Sequence, residues 1–413
     1  MRRILFLCEH ASWSQIVRSL VLARGLDRGA FELHFACGTF DPRLFGDATL
    51  APEAMTRWPL VSMDPKKLEA AIAGGGRIYD RSTLASYVDD ERRLFDRVKP
   101  DLVVSDLRWS TAISAPLAGV PCATVVNAFW SPHAIRERFP LPDHPIIRVV
   151  GLSMAEKYFP MALPKVFSHF ARPVNELRRQ HRLPEIGSLP EVITWGDRTL
   201  YPDDAQLVPL SHHDPRRVFL GPILWSPRVE PPAGFEELGR TRPLVYATLG
   251  SSGDVRALPT VIEALGRLPV DGLVSTAGRA NLKTVPANVR VVDLVPGELV
   301  ARRAAVVICN GGASTAYQAL AEGAPVVGIP SNLDQFLAMT AVRDAGAGLL
   351  LRAGTLSSDA VSEAVRRVLA EADFKERAVA LAQSFARHDV HARFRAVVDE
   401  VTRAGHGTEP EVG

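Results

Sequence analysis

Short apolar runs alternate with segments of helical periodicity along most of the chain. Residues 4–8, 33–36, 102–105 and 123–126 are compact apolar runs bounded by polar or turn residues, and each reads as a strand. Residues 13–26 follow the first run with apolar side chains at helical spacing. The alternation returns at residues 244–248, 272–275, 289–292, 305–309 and 325–329, each run leading through a loop into a helical stretch. This is the signature of βαβ units and a parallel sheet, so the fold class is α/β.

The texture changes between the two halves. Residues 155–182 have the pattern of an amphipathic helix, and prolines then gather at Pro202, Pro209, Pro215, Pro222, Pro227, Pro231 and Pro232, a linker composition. A length of 413 residues exceeds one ordinary core. The expectation is therefore two domains, residues 1–220 and 221–390, followed by a last segment, 391–413, whose end is small and polar. In open parallel sheets ligands bind beyond the carboxyl ends of the strands, so the informative residues should directly follow strands.

Composition excludes several classes. A formal net charge of +2 gives no reason to expect nucleic acid as a partner, and no apolar run is long enough to span a bilayer. Arg2 and Arg3 precede an apolar run too short for a secretory signal, which predicts a cytoplasmic protein. Cys8, Cys37, Cys122 and Cys309 are widely separated and read as reduced, buried thiols. His133, His144, His212 and His213 lack metal-ligand spacing, so no metal and no resident cofactor is expected. The 155–182 segment suits a cover over a pocket, and its mixed charges speak against a membrane or partner helix.

The strongest chemical signal is Asn310-Gly311-Gly312-Ala313-Ser314-Thr315, which follows an apolar strand and opens a helix. The glycines permit a sharp turn and close approach of a ligand. The unpaired N–H groups of the helix start, with Ser314 and Thr315, suit a diphosphate. Taken alone, the segment fits an ordinary strand-to-helix turn equally well. After the strand at 325–329, Asp334 and Gln335 open another helix and offer the directional acceptors and donors that a hexose ring requires; a helix-start acid is the plainer reading of Asp334 by itself.

Together the stretch N-G-G-A-S-T-A-Y-Q-A-L-A-E-G-A-P-V-V-G-I-P-S-N-L-D-Q resembles the donor signature of family 1 glycosyltransferases, the UDP- or dTDP-sugar enzymes of natural-product pathways. Tyr246 to Ser251 looks like the family's first C-terminal strand and phosphate loop, Val292 to Pro296 like its nucleobase segment, and Phe219 to Pro222 like its interdomain junction. The resemblance implies the GT-B fold, two Rossmann-like domains facing across a cleft, with acceptor bound by the first and donor by the second. It also implies a last helix, at about residues 391–403, that crosses back to the first domain. The donor set it implies is Gly250, Ser251, Val295, Asn310, Gly311, Gly312, Ser314, Thr315, Gln318, Asp334 and Gln335. Asn310 stands where the family usually has histidine, and Gln318 where plant members often carry glutamate.

The family's base is a histidine in the loop after the first strand, held by an aspartate after a later one. Asp106 matches the aspartate. Gln15 falls on the histidine's place, and Ser12 with Gln15 forms an S-x-x-Q capping box instead. His10, in the same loop, is the candidate base, with Asp106 or Glu9 acting directly as the alternative. Trp13, Gln15, Trp109, Phe129 and Trp130 are the candidate acceptor-binding residues; core packing is as good a reading for each aromatic singly. The expected partners are a nucleotide-sugar donor and a small hydrophobic acceptor, and a homodimer is compatible with the sequence. Other readings are a catalytically silent sugar-nucleotide binder, a sugar-nucleotide epimerase and a lipid-carrier transferase.

Overall fold

The computed structural model describes residues 1–10, 12–64, 78–144, 146–250, 253–280, 282 and 284–404. β1 (Arg2–Cys8), β2 (Phe31–Cys37), β3 (Thr56–Pro59), β4 (Leu102–Asp106), β5 (Cys122–Val125), β6 (Arg198–Tyr201) and β7 (Arg217–Phe219) make one parallel sheet, in the order β3-β2-β1-β4-β5-β6-β7. β8 (Leu244–Thr248), β9 (Asp271–Ser275), β10 (Val289–Val292), β11 (Val306–Cys309), β12 (Val326–Gly328) and β13 (Gly348–Leu350) make a second, in the order β10-β9-β8-β11-β12-β13. The pattern predicts nine of these thirteen strands; β3, β6, β7 and β13 lie outside the apolar runs it picks out.

In the first half, helices α1 (Trp13–Arg24), α2 (Pro42–Phe45), α3 (Arg81–Val98), α4 (Thr111–Ala118), α5 (Ile146–Val150), α6 (Leu152–Gln180) and α7 (Leu189–Ile193) connect or cover the strands. In the second, these are α8 (Leu258–Gly266), α9 (Gly297–Arg303), α10 (Ala313–Ala321), α11 (Leu333–Asp344), α12 (Ser358–Ala370) and α13 (Ala372–Phe385), followed by α14 (Val390–Ala404). Sheets buried on both faces account for strands that read as continuous apolar runs: β4 and β8 are buried at every position.

Both sheets reverse their strand order once. In the first, β1 pairs with β2 on one side and β4 on the other, with Cys8 opposite Asp106. In the second, β8 pairs with β9 and β11, with Thr248 opposite Cys309. At such a reversal the loops leave in opposite directions and open a crevice at the strands' carboxyl ends.

The chain crosses between the sheets twice. The junction turns at Gly221, whose φ is +98° and where a Cβ would lie 2.3 Å from the Cβ of His388, so no other residue fits. α14 then packs on the first sheet. Phe394 is fully buried with its ring 6.1 Å from that of Phe6, a burial worth about 1.5–3 kcal/mol. Arg2 closes the edge of this contact with Asp399 at 2.7 Å.

Candidate active site

The two crevices face each other across one cleft of about 1350 Å³, lined from both domains. A pocket for one drug-sized ligand measures roughly 300–1,000 Å³, so this cleft exceeds what a single ligand needs.

On the first domain's side the wall is the start of α1. Ser12 caps the helix, and the Gln15 carboxamide oxygen accepts from the Ser12 N–H at 2.9 Å and its hydroxyl at 2.7 Å. This is the capping box expected from the sequence, and it fixes Gln15 on the cleft wall as part of the helix start. Ser14, one position earlier, reaches across to the second domain, its Oγ 2.9 Å from that of Ser314.

On the second domain's side β11 runs through Asn310, Gly311 and Gly312 into α10. Gly311 has φ +78°, and a Cβ there would lie 2.6 Å from the Met339 side chain. Gly312 is the N-cap, and its N–H donates to the Asn310 side-chain oxygen at 3.2 Å. Gly312, Ser314 and Thr315 line the cleft, so the orphan N–H groups of the first turn open into it. Beside them Gly250 turns with φ +58°, and Arg279 bridges the Gly250 and Gly253 carbonyls at 3.1 and 3.0 Å. Ser251 lies outside the described residues.

α11 presents the second half of the expected donor set. Gln335 is buried, its carboxamide oxygen accepting from the Ser331 N–H at 2.9 Å and hydroxyl at 3.1 Å, so it shapes the loop before the helix while lining the cleft. Asp334 is open to the cleft and accepts the Trp130 indole N–H at 2.7 Å, a contact between domains. Crowding by the cleft walls raises its pKa, against the lowering effects of Trp130 and Arg18.

The aromatic candidates divide. Trp13, Trp109 and Trp130 line the cleft, together with apolar side chains such as Ile78, Val126, Leu189 and Ile193. Phe129 does not. It is 3% exposed inside the core, where its apolar ring is better placed than in a wet cleft. Trp109 is buried against Tyr79 with ring centroids 5.1 Å apart, and its indole N–H meets no acceptor among the described residues. A buried, unmatched donor on a cavity wall is an open valence for a ligand oxygen.

Three further expectations are corrected by the geometry. His10 lines the cleft but does not meet Asp106; its ring pairs with the Thr39 hydroxyl at 2.9 Å. Asp106 is instead gripped by Arg18, whose Nε and Nη2 donate to its two oxygens at 3.0 and 2.7 Å. The guanidinium offers this buried carboxylate a charged, two-pronged grip that an imidazole cannot. Glu9 is not available as a base either: it is enclosed by Arg108 at 3.3 Å, the Tyr79 hydroxyl at 2.9 Å and the Met63 N–H at 2.8 Å. In the second domain, Val295 packs into the core and Gln318 donates to the Trp225 carbonyl of the linker at 3.2 Å, so neither side chain lines the cleft.

Arg18 begins a buried polar chain that the sequence did not reveal. Its Nη1 donates to the Asn127 side-chain oxygen at 2.8 Å, Asn127 donates to Asp203 at 3.1 Å, and the Tyr317 hydroxyl of α10 also donates to Asp203. The chain thus runs from the first sheet to the helix that carries Ser314. Burial pushes Asp106 up to about 6 against the pull of Arg18, and raises Asp203 against its three donors. Burial works against the charge of Arg18, but Asp106, with Asp334 and Asp203 farther off, more than restores it. The strand-end position of Asn127 was the available signal; for Asp203, after the unpredicted β6, and for Arg18, mid-helix, there was none.

The site is thus a two-domain cleft with a phosphate-type helix start on one wall and an apolar, indole-lined pocket on the other, the layout of the GT-B class. Residues 259–391 match the erythromycin biosynthesis protein CIII-like C-terminal domain. A PGL/p-HBAD biosynthesis glycosyltransferase of Mycobacterium tuberculosis is 44% identical over 385 residues, 93% of this chain and 89% of the relative. A PGL/p-HBAD biosynthesis rhamnosyltransferase of Mycobacterium bovis is 43% identical over 390 residues, 94% of this chain and 85% of the relative. Among solved structures, the spinosyn forosaminyltransferase SpnP superposes with a TM-score of 0.69 at 19% identity, over 97% of this chain and 99% of that one. The glycosyltransferase VinC, solved in complex with dTDP, superposes with a TM-score of 0.67 at 18% identity, over 98% of this chain and 100% of that one. The chain belongs to the family 1 glycosyltransferases of the bacterial natural-product type.

Proposed function

We propose that this glycosyltransferase moves a sugar, with inversion and without a metal ion, from a dTDP- or UDP-linked donor to a hydroxyl of a small hydrophobic acceptor. The observation that carries this reading is the meeting of two strand-reversal crevices at one cleft, with the start of α10 and an open carboxylate, Asp334, on the donor side and the Trp109 pocket on the other. The relatives named as acting in PGL/p-HBAD biosynthesis, one as a rhamnosyltransferase, and the dTDP complex of VinC favour a deoxyhexose on dTDP.

In this reading Gly250, Ser251, Asn310, Gly311, Gly312, Ser314 and Thr315 hold the diphosphate, and the helix start stabilises the leaving charge that a metal would otherwise neutralise. Asp334 and Gln335 hold the sugar, whose hydroxyls compete with Trp130 for Asp334. Trp13, Trp109 and Trp130 hold the acceptor. His10 receives the acceptor proton, oriented by Thr39 rather than by a carboxylate. The reaction belongs in the cytoplasm, a compartment that suits four free, buried cysteines.

The test is calorimetric titration with dTDP and UDP of the natural protein and of Ser314→Ala and Asn310→Ala. Weaker binding in both variants, with acceptor-dependent turnover that falls in His10→Ala, is the expected result. Binding of either nucleotide that neither variant disturbs would remove the diphosphate from the start of α10.

A further inference from the structure

The outer face of α5 and α6 carries features that sugar transfer in the cleft does not use. Six of the fourteen large apolar side chains exposed among the described residues fall between Ile146 and Met161, so the exposure is concentrated rather than scattered. Val149 is 81% exposed and Met161 75%. A concentration of this kind marks an interaction surface.

The patch continues into a basic groove along a single helical stripe. Met154, Tyr158, Met161, Lys165, Ser168, Arg172, Asn175 and Arg179 follow one another at alternating four- and three-residue steps, which places them on one face of α6. The second part of that stripe, from Lys165 onward, lines a groove of about 870 Å³ that also contains His169. The charges on this stretch have a positive balance. Glu156 stays exposed beside the ridge, 3.7 Å from Arg352, and Glu185 pairs with Arg179 at 2.9 Å; Lys157, Lys165 and Arg172 are exposed as well, so cations outnumber acids on this face.

We propose that this face docks on an anionic lipid bilayer, the ridge of Val149, Val150, Met154, Tyr158 and Met161 entering the headgroup boundary and Lys157, Lys165 and Arg172 meeting lipid phosphates. Apolar residues on one side with flanking cations are the chemistry of an interfacial helix. No helix among the described residues is long and apolar enough to cross a membrane, so the contact lies in the interface plane. The same two helices turn Ile147 and Leu152 inward to line the cleft, so the docked face stands at the mouth of the acceptor pocket. A hydrophobic acceptor resident in the bilayer then enters the cleft without crossing water. That last step rests on the acceptor reading above, whereas the docking does not.

The test is flotation of the purified chain with vesicles of phosphatidylcholine alone or mixed with phosphatidylglycerol, with no donor or acceptor present. The natural protein floats with the anionic vesicles, and less so in high salt. The triple substitution Met154→Ser, Tyr158→Ser, Met161→Ser and, separately, Lys165→Glu with Arg172→Glu each weaken partitioning by about tenfold or more. Both keep the natural melting temperature and nucleotide binding, since none of these side chains lines the cleft. Folded natural protein that floats with neither vesicle, or variants that float like it, would overturn the proposal. So would a dimer in light scattering that the triple variant splits into monomers, because the face would then serve a second copy.

Discussion

Replacing Asp106 by asparagine should stabilise the protein at neutral pH, although it removes one half of a buried ion pair. Ordinary reasoning about such pairs expects the reverse, a loss of about 3–5 kcal/mol when one partner is deleted. Burial nevertheless outweighs Arg18, lifting Asp106 from 3.8 to about 6. A folded-state pKa above the unfolded one means that the native state binds the extra proton between those values. Stability from this group is then fully present below about pH 4 and falls as the pH rises through 6. A shift of roughly two units corresponds to about 3 kcal/mol lost by neutral pH. Asparagine mimics the protonated acid at every pH and escapes that loss. The two proteins should therefore melt alike near pH 4, and the variant should melt higher near pH 7.5. For a domain of this size about 3 kcal/mol corresponds to roughly 6–12 °C. Calorimetric melts of both proteins across this range make the comparison. A variant that melts several degrees below the natural protein at pH 7.5 would show that the Arg18 pair dominates and that desolvation of Asp106 is overstated. Activity should fall in the same variant, because Arg18 loses the two-pronged acceptor that fixes its position beside the cleft.

Other outcomes follow from single contacts. Trp109→Phe removes the unmatched N–H together with the pyrrole half of a buried indole, so acceptor KM should rise about fivefold to tenfold, the equivalent of about 1 kcal/mol, with a cavity cost to stability on the order of 1–2 kcal/mol. Gly311→Ala forces a side chain into a positive-φ turn already filled by Met339; nucleotide affinity by titration should fall, with a stability loss on the order of 1–3 kcal/mol. Tyr317→Phe deprives buried Asp203 of a donor and should cost about 1–3 kcal/mol. Because the lost O–H serves the ionised carboxylate, whose pKa burial raises, the deficit in denaturant midpoint should grow as the pH rises.

The comparison between sequence and structure is most instructive at α1. The S-x-x-Q pattern is local, three residues apart on one turn, and the structure contains the capping box it implies. The partner of Asp106 is not local. Which residue reaches it depends on how α1 lies over the β1–β4 pair, and rotation of the helix puts Arg18 there while His10 turns to Thr39. Among the aromatics, Trp109, Phe129 and Trp130 all follow strands, yet side-chain direction in the folded chain sends Phe129 into the core and the two tryptophans to the cleft.

Alternating apolar runs and helical stretches, a glycine turn before a helix and a proline-rich middle are properties of neighbouring residues. They were enough to determine an α/β chain in two halves and the helix start suited to a diphosphate, because backbone preference and period act over a few residues. The polar chain from Asp106 through Arg18, Asn127 and Asp203 to Tyr317 joins residues far apart in the sequence. So does the meeting of Trp130 with Asp334. Likewise, the basic and apolar residues of α6 separate only once the helix has a buried face and an outer one. These were decided by tertiary structure alone, since burial and the direction of each side chain exist only after the sheets have formed and the domains have closed on one another.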